Sequence, residues 1–135
     1  METVLVLEDE PTNLKVIALV LRADGYRVLE AADGNAAIQI CNAGKPINLL
    51  IADIQLPDIS GTKVALELLN FWPELAILFT SGTPVSNWAP ADLAGLDHLS
   101  GVAIDILEKP FSPLMLGKKV RQLLARSRQA GSSPS

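Results

Sequence analysis

Five short apolar runs, each stopping at a polar or charged group, constrain this chain more than any other feature. They occupy residues 4–7, 26–29, 48–52, 75–79 and 102–107. Runs of this length read as strands, and nearly continuous apolar character means burial on both faces. A parallel sheet covered by helices gives strands that environment. The intervals supply the helices. After Pro11, Leu14, Ile17, Ala18 and Leu21 recur at helical spacing until Asp24-Gly25. Asp33 can cap a second helix with Ala36, Ala37, Ile40 and Cys41 on one face. A turn-rich stretch at 56–61 leads into Val64, Leu66, Leu68 and Leu69, and Ser112-Pro113 opens a last helix carrying Leu116, Val120, Leu123 and Leu124. The alternation predicts an α/β fold with a doubly wound parallel sheet. Residues 82–101 fit least well. Pro84 and Pro90 interrupt them, and interior proline costs a helix about 3 kcal/mol, so a long loop and a short or displaced fourth helix within 90–99 are expected.

The chain has 135 residues, about one domain. Its single cysteine, Cys41, excludes a disulfide framework and a cysteine-based zinc site. A net charge of −4 argues against a nucleic-acid surface, which needs a basic face. No apolar run approaches the roughly 18 residues of a membrane span, and Met-Glu-Thr-Val at the start has no basic segment of a signal peptide. The expectation is a cytoplasmic domain over residues 1–126 followed by a disordered polar tail at 127–135.

In open α/β sheets, ligands sit beyond the carboxyl ends of the strands. Here those ends carry Glu8 and Asp9, Asp53, Ser81, and Lys109. If they converge, three carboxylates crowd together and raise one another's pKa unless something positive intervenes. Mg²⁺ suits a site of few carboxylates, waters and phosphate oxygens. With a lysine and a hydroxyl, the set makes a cradle for a transferring phosphoryl group.

These residues also resemble a family. Val4-Leu-Val-Leu-Glu-Asp-Glu-Pro resembles the first strand and acidic pair of response-regulator receiver domains, the CheY-like proteins of two-component signalling. Asp53-Ile-Gln-Leu-Pro-Asp-Ile-Ser-Gly61 resembles their phosphoacceptor loop, Ile77-Leu-Phe-Thr-Ser-Gly82 their fourth strand with its hydroxyl residue, and Glu108-Lys-Pro-Phe111 their lysine followed by proline. Four motifs in the right order, each closing a strand pattern, make a specific signal across residues 3–126. The resemblance implies a flavodoxin-like sheet of strand order 2-1-3-4-5. It implies that Asp53 takes phosphate from a phosphohistidine on a histidine kinase or phosphotransfer protein, in a phosphorelay ending on a downstream output partner. It further implies that Asp9 and Asp53 bind Mg²⁺ directly, with Glu8 acting through water and the Gln55 backbone carbonyl filling another position. Ser81, which aligns better than Thr80, would bond the phosphoryl oxygen, and Lys109 would pair with it across a cis bond to Pro110. Gln55 and Thr83 fall at positions that tune phosphate lifetime. No catalysis beyond the protein's own phosphorylation and dephosphorylation is implied. One departure stands out: the family's aromatic residue three before the lysine is Ile106 here.

Other residues read more plainly. Glu10 favours the first helical turn through the macrodipole, the lone His98 is structural or solvated, Cys41 and Trp72 are packing, and Trp88 is a contact residue or a lid. Two competing readings remain. A pseudo-receiver would keep the fold as a protein-binding module without phosphorylation. A haloacid-dehalogenase-type phosphohydrolase would want a second aspartate where Gln55 stands. The chain reads either as a stand-alone receiver or as the receiver of a hybrid kinase.

Overall fold

A computed structural model describes residues 1–132, with side chains through Arg128. The elements run β1 (Thr3–Leu7), α1 (Pro11–Ala23), β2 (Arg27–Ala31), α2 (Gly34–Asn42), β3 (Leu49–Asp53), α3 (Gly61–Phe71), β4 (Ala76–Ser81), a 3₁₀ turn (Val85–Asn87), α4 (Pro90–Asp97), β5 (Ile104–Glu108) and α5 (Pro113–Ser132). The strands form one parallel sheet in the order β2-β1-β3-β4-β5. The expected doubly wound architecture is the observed one.

Strand alternation divides the core in two. Val4, Val6, Leu49, Ile51 and Leu78 pack with Ile17, Leu21, Leu116, Val120 and Leu124 of α1 and α5. Leu5, Leu7, Leu50, Ile77 and Phe79 pack on the other face with Cys41, Val64, Leu68 and Leu99. The three central strands are buried throughout, whereas β2 and β5 at the edges mix buried and exposed positions. The last strand begins two residues later than its apolar run suggests. Gly101, at φ +88°, turns the chain there, and the Val102 N–H closes that turn on the Leu99 carbonyl.

Helix entries are fixed by side-chain caps. Asp33 accepts from the Ala36 N–H and Ser60 from the Lys63 N–H. Glu10 does more than favour the α1 dipole. It is the N-cap, accepting from the Thr12 and Asn13 N–H groups at 3.2 and 2.8 Å. Asp58, in the loop after β3, accepts from the Gly34 and Asn35 N–H groups at the start of α2. The Gly34 bond leads in holding its carboxyl below the usual aspartate range.

The fourth helix is short, as the prolines require. It opens on Pro90 with no side-chain cap and buries only Gly95, where an added Cβ would strike Thr62 of α3. The expected domain end at residue 126 falls inside α5, which runs on to Ser132. The Ser127 hydroxyl donates to the Glu74 carbonyl and Arg128 pairs with Glu2, so these tail residues are tied to the fold rather than disordered. Residues 133–135 of the expected tail lie outside the described residues. Among the described residues, no helix is long and apolar enough to cross a membrane.

Gly61 is where α3 meets the site. A Cβ there would run into the backbone carbonyl of Asp53, which cannot yield as a flexible side chain would. Gly61→Ala should lower the unfolding free energy by about 2–3 kcal/mol. Gly82→Ala, whose Cβ meets nothing within 4 Å, should change it by less than about 0.5 kcal/mol. Urea unfolding of the two variants checks this, and equal midpoints would contradict the close approach.

Candidate functional site at the carboxyl edge of the sheet

Backbone pairing continues past the strands and places the site residues firmly. The Glu8 N–H donates to the Ala31 carbonyl, the Ile54 N–H to Thr80 and the Lys109 N–H to Ser81. Glu8, Asp9 and Asp53 each present a carboxylate oxygen, all within 4.8 Å of one another. Glu8 and Asp53 are buried, at 1% and 6% exposure, and Asp9 is exposed. The sequence-based convergence of these acids is thus a feature of the structure.

The intervening positive group is Lys109. Its Nζ donates to Glu8 Oε1 at 2.8 Å and to Asp53 Oδ2 at 2.7 Å. The Glu10 N–H donates to Glu8 Oε2 at 3.1 Å, and the Gln55 N–H donates to Asp53 Oδ1 at 3.0 Å. Every carboxylate oxygen of Glu8 and Asp53 therefore has a donor, as buried charge demands. Burial pushes the Glu8 carboxyl up, and the Lys109 and Glu10 bonds only partly oppose it while the Asp53 charge adds to it. For Lys109, burial alone would depress the ammonium. The hydrogen bonds and charges of Asp53 and Glu8 together outweigh that, holding it above the ordinary lysine range.

Ser81 closes β4, one residue past Thr80, the register partner of Asp53. Alternation puts its side chain on the Phe79 face of the sheet. Its hydroxyl donates to the Thr83 carbonyl at 2.8 Å and accepts from the Thr83 N–H at 3.1 Å. It also accepts from Trp88 Nε1 at 3.1 Å. This last partner was not legible in the sequence beyond the presence of an aromatic residue in an irregular segment. Gln55 is exposed beside Asp53, Ile106 is partly buried in the Phe79 cluster, and the Lys109-Pro110 bond is cis. His98 is exposed at the end of α4, and Cys41 is core. A cleft of about 390 Å³ opens beside Glu8 and Lys109, walled by Asn13, Val16 and Ile17 of α1 and by Phe111.

A parallel sheet of this order, with acids after its first and third strands, a hydroxyl after the fourth and a lysine after the fifth, defines a class before any comparison. The family model described as the response regulator receiver domain matches residues 4–121. The chain belongs to that family, the receivers of two-component systems. It is 32% identical over 126 residues to a probable transcriptional regulatory protein, TcrX, of Mycobacterium tuberculosis, covering 93% of this chain and 50% of that protein. The chain thus spans about half the length of such curated relatives. The receiver domain of the hybrid histidine kinase CckA matches at 32% identity with a TM-score of 0.74, over 90% of this chain and 98% of that one. A CheY-like receiver from Methanospirillum hungatei matches at 21% identity with a TM-score of 0.83, covering 96% and 98%, a likeness of fold.

Removing the lysine should expose the repulsion it balances. Lys109→Ala should destabilise the protein by about 1–3 kcal/mol at pH 7, less than a fully buried broken pair because the site opens to solvent. Glu8 already has a raised pKa, so its contribution to stability is full below the unfolded value and is lost as pH rises through the folded one. Without Lys109 that pKa rises further, and the deficit should shrink between pH 7 and pH 5. Denaturant unfolding at both pH values checks the sign; a deficit that grows on acidification would contradict it.

Proposed function

We propose that the protein is a phosphoacceptor receiver in which Asp53 takes a phosphoryl group from a phosphohistidine on a partner kinase or phosphotransfer protein. The observation that carries this reading is the convergence of three carboxylates around one lysine that bonds both Glu8 and Asp53. An Asp53 oxygen forms the bond to phosphorus as the phosphorus–nitrogen bond breaks and its electron pair stays on the donor imidazole. Lys109, already 2.7 Å from Asp53 Oδ2, needs little movement to pair with a phosphoryl oxygen there. The Gln55 N–H holds the other carboxylate oxygen and so orients the nucleophile. Ser81 supplies a hydroxyl on the adjacent strand.

The donor set is all oxygen and suits a hard divalent cation. Asp9 and Asp53 would hold Mg²⁺ directly, Glu8 would act through water, and the Gln55 carbonyl would complete the protein's share. When bound, Mg²⁺ supplies charge neutralisation for the transferring phosphoryl oxygens. The cleft beside Lys109, walled by the exposed Val16 together with Ile17 and Phe111, offers an apolar approach for the phosphohistidine donor. The output partner lies either on the same polypeptide, as the relatives' greater length suggests, or on a separate protein.

With Mg²⁺ and acetyl phosphate, the intact mass should rise by one phosphoryl group, and Asp53→Asn should abolish the rise. A wild type without modification would favour the pseudo-receiver, and a modified Asp53→Asn would mean a different nucleophile. A second expectation concerns the metal. Mg²⁺ should raise the melting temperature by binding the native state alone. Asp9→Asn should lose most of that rise without lowering the metal-free melting temperature. A metal-free protein strongly destabilised by Asp9→Asn would contradict the crowding of the acids.

A further inference from the structure

The Ser81 hydroxyl is fully committed, and none of its commitments is to Asp53. A hydroxyl offers one proton and two lone pairs. The proton goes to the Thr83 carbonyl at 2.8 Å, the oxygen accepts from the Thr83 N–H and Trp88 Nε1–H at 3.1 Å each, and the Thr83 hydroxyl lies at the longer distance of 3.2 Å. The indole itself is held on three sides. Its N–H also reaches the Thr83 carbonyl at 3.2 Å, its ring lies edge-on to Phe79 at 6.2 Å and 88°, and only 6% of the residue is exposed. Phe79 and Ser81 lie on one face of β4, so the indole spans that face from core to strand end. We propose that Trp88 is the positioning residue for Ser81 and the first element moved by phosphorylation, a role that rests on the phosphoacceptor reading of Asp53.

A phosphoryl group on Asp53 presents a charged acceptor beside Ser81. Charge-assisted hydrogen bonds are roughly twice as strong as neutral ones, so the phosphoryl oxygen outcompetes the Thr83 carbonyl for the single Ser81 proton. As the hydroxyl turns, its lone pairs leave the Thr83 N–H and the indole. Trp88 then keeps one acceptor, the Thr83 carbonyl, and loses its link to the sheet. Ile106 shares the hydrophobic cluster with Trp88 but has no polar group to take over the bond.

The movement of the indole has an exit. Trp88 ends the 3₁₀ turn, and α4 begins two residues later at Pro90. That helix has no side-chain cap and buries only Gly95. It is the most weakly attached helix around the site, so a shift of the indole carries the 83–97 segment with it. The surface that reports phosphorylation is then this segment. A merely structural Trp88, filling a gap and taking the nearest oxygen, would not respond to the state of Asp53.

The test uses the Trp72→Phe protein, which leaves Trp88 as the sole indole of the two in the sequence. Trp72 lies at the opposite end of the sheet, before β4. Beryllofluoride with Mg²⁺ is added; ¹⁹F NMR reads occupancy, while the indole ¹H–¹⁵N resonance and emission read Trp88. The expected result is a bound beryllofluoride signal with a shifted indole resonance, red-shifted emission and greater acrylamide quenching. A bound signal with an unchanged indole overturns the coupling alone. The absence of any bound signal overturns the phosphoacceptor reading and the coupling with it. In the unmodified protein, Ser81→Ala should shift the indole resonance, and no shift would refute the contact. Trp88→Phe keeps a ring but removes the indole bond to Ser81, leaving the hydroxyl's bonds to Thr83 in place. It should speed phosphorylation by acetyl phosphate about three- to tenfold, the size of one neutral hydrogen bond, and an unchanged or slower rate would refute the positioning role.

Discussion

Lys109 joins three strands of the sheet through two hydrogen bonds. It sits after β5, and its ammonium reaches Glu8 beyond β1 and Asp53 at the end of β3. Carboxylates this close and this buried require a cation, because desolvation and mutual repulsion both disfavour their charged forms. The 2-1-3-4-5 strand order supplies the geometry by setting β1, β3, β4 and β5 side by side, so that their ends share one edge. Continued backbone pairing past the strands keeps those ends from fraying. Gly61 then lets α3 approach the Asp53 carbonyl, closing the site from below.

The same edge is asymmetric in how firmly it is built. On the α1 side, Glu10 caps the helix and donates its N–H to Glu8, so Glu8 is held by Glu10 on one oxygen and by Lys109 on the other. Asp58 similarly ties the loop after β3 to the start of α2. Beyond β4 the chain has fewer anchors. There the Ser81 hydroxyl and the Trp88 indole do the holding, and an uncapped helix follows. On the proposed phosphorylation of Asp53, the side-chain hydrogen bond beyond β4 would be the element to yield, because the α1 side is tied through backbone donors.

The reach of the sequence follows from this physics. Strand ends were legible because buried parallel strands are apolar throughout, and the first polar residue after each marks the edge. Thus Glu8 and Asp53 could be named from order alone, whereas the choice of Ser81 over Thr80 and of Lys109 over Glu108 rests on the family resemblance. The short α4 was legible from Pro84 and Pro90. Trp88 was not, because its bond to Ser81 spans an irregular loop with no periodicity to reveal which way a side chain turns. Glu10 looked like a dipole partner because capping by a glutamate depends on its rotamer. The end of α5 was misread because Ser127 and Arg128 are polar by composition, yet their partners, Glu74 and Glu2, come from distant parts of the chain.

The balance of Glu8 against Lys109 and Asp53 is the account's central claim, and a carboxyl titration reads it directly. ¹³C NMR of the Glu8 carboxyl in metal-free protein should give a midpoint above the ordinary glutamate range, set first by burial. Added Mg²⁺ should bring that midpoint down, because a cation nearby favours the charged form. A Glu8 titrating in the ordinary range without metal, and indifferent to Mg²⁺, would contradict the account.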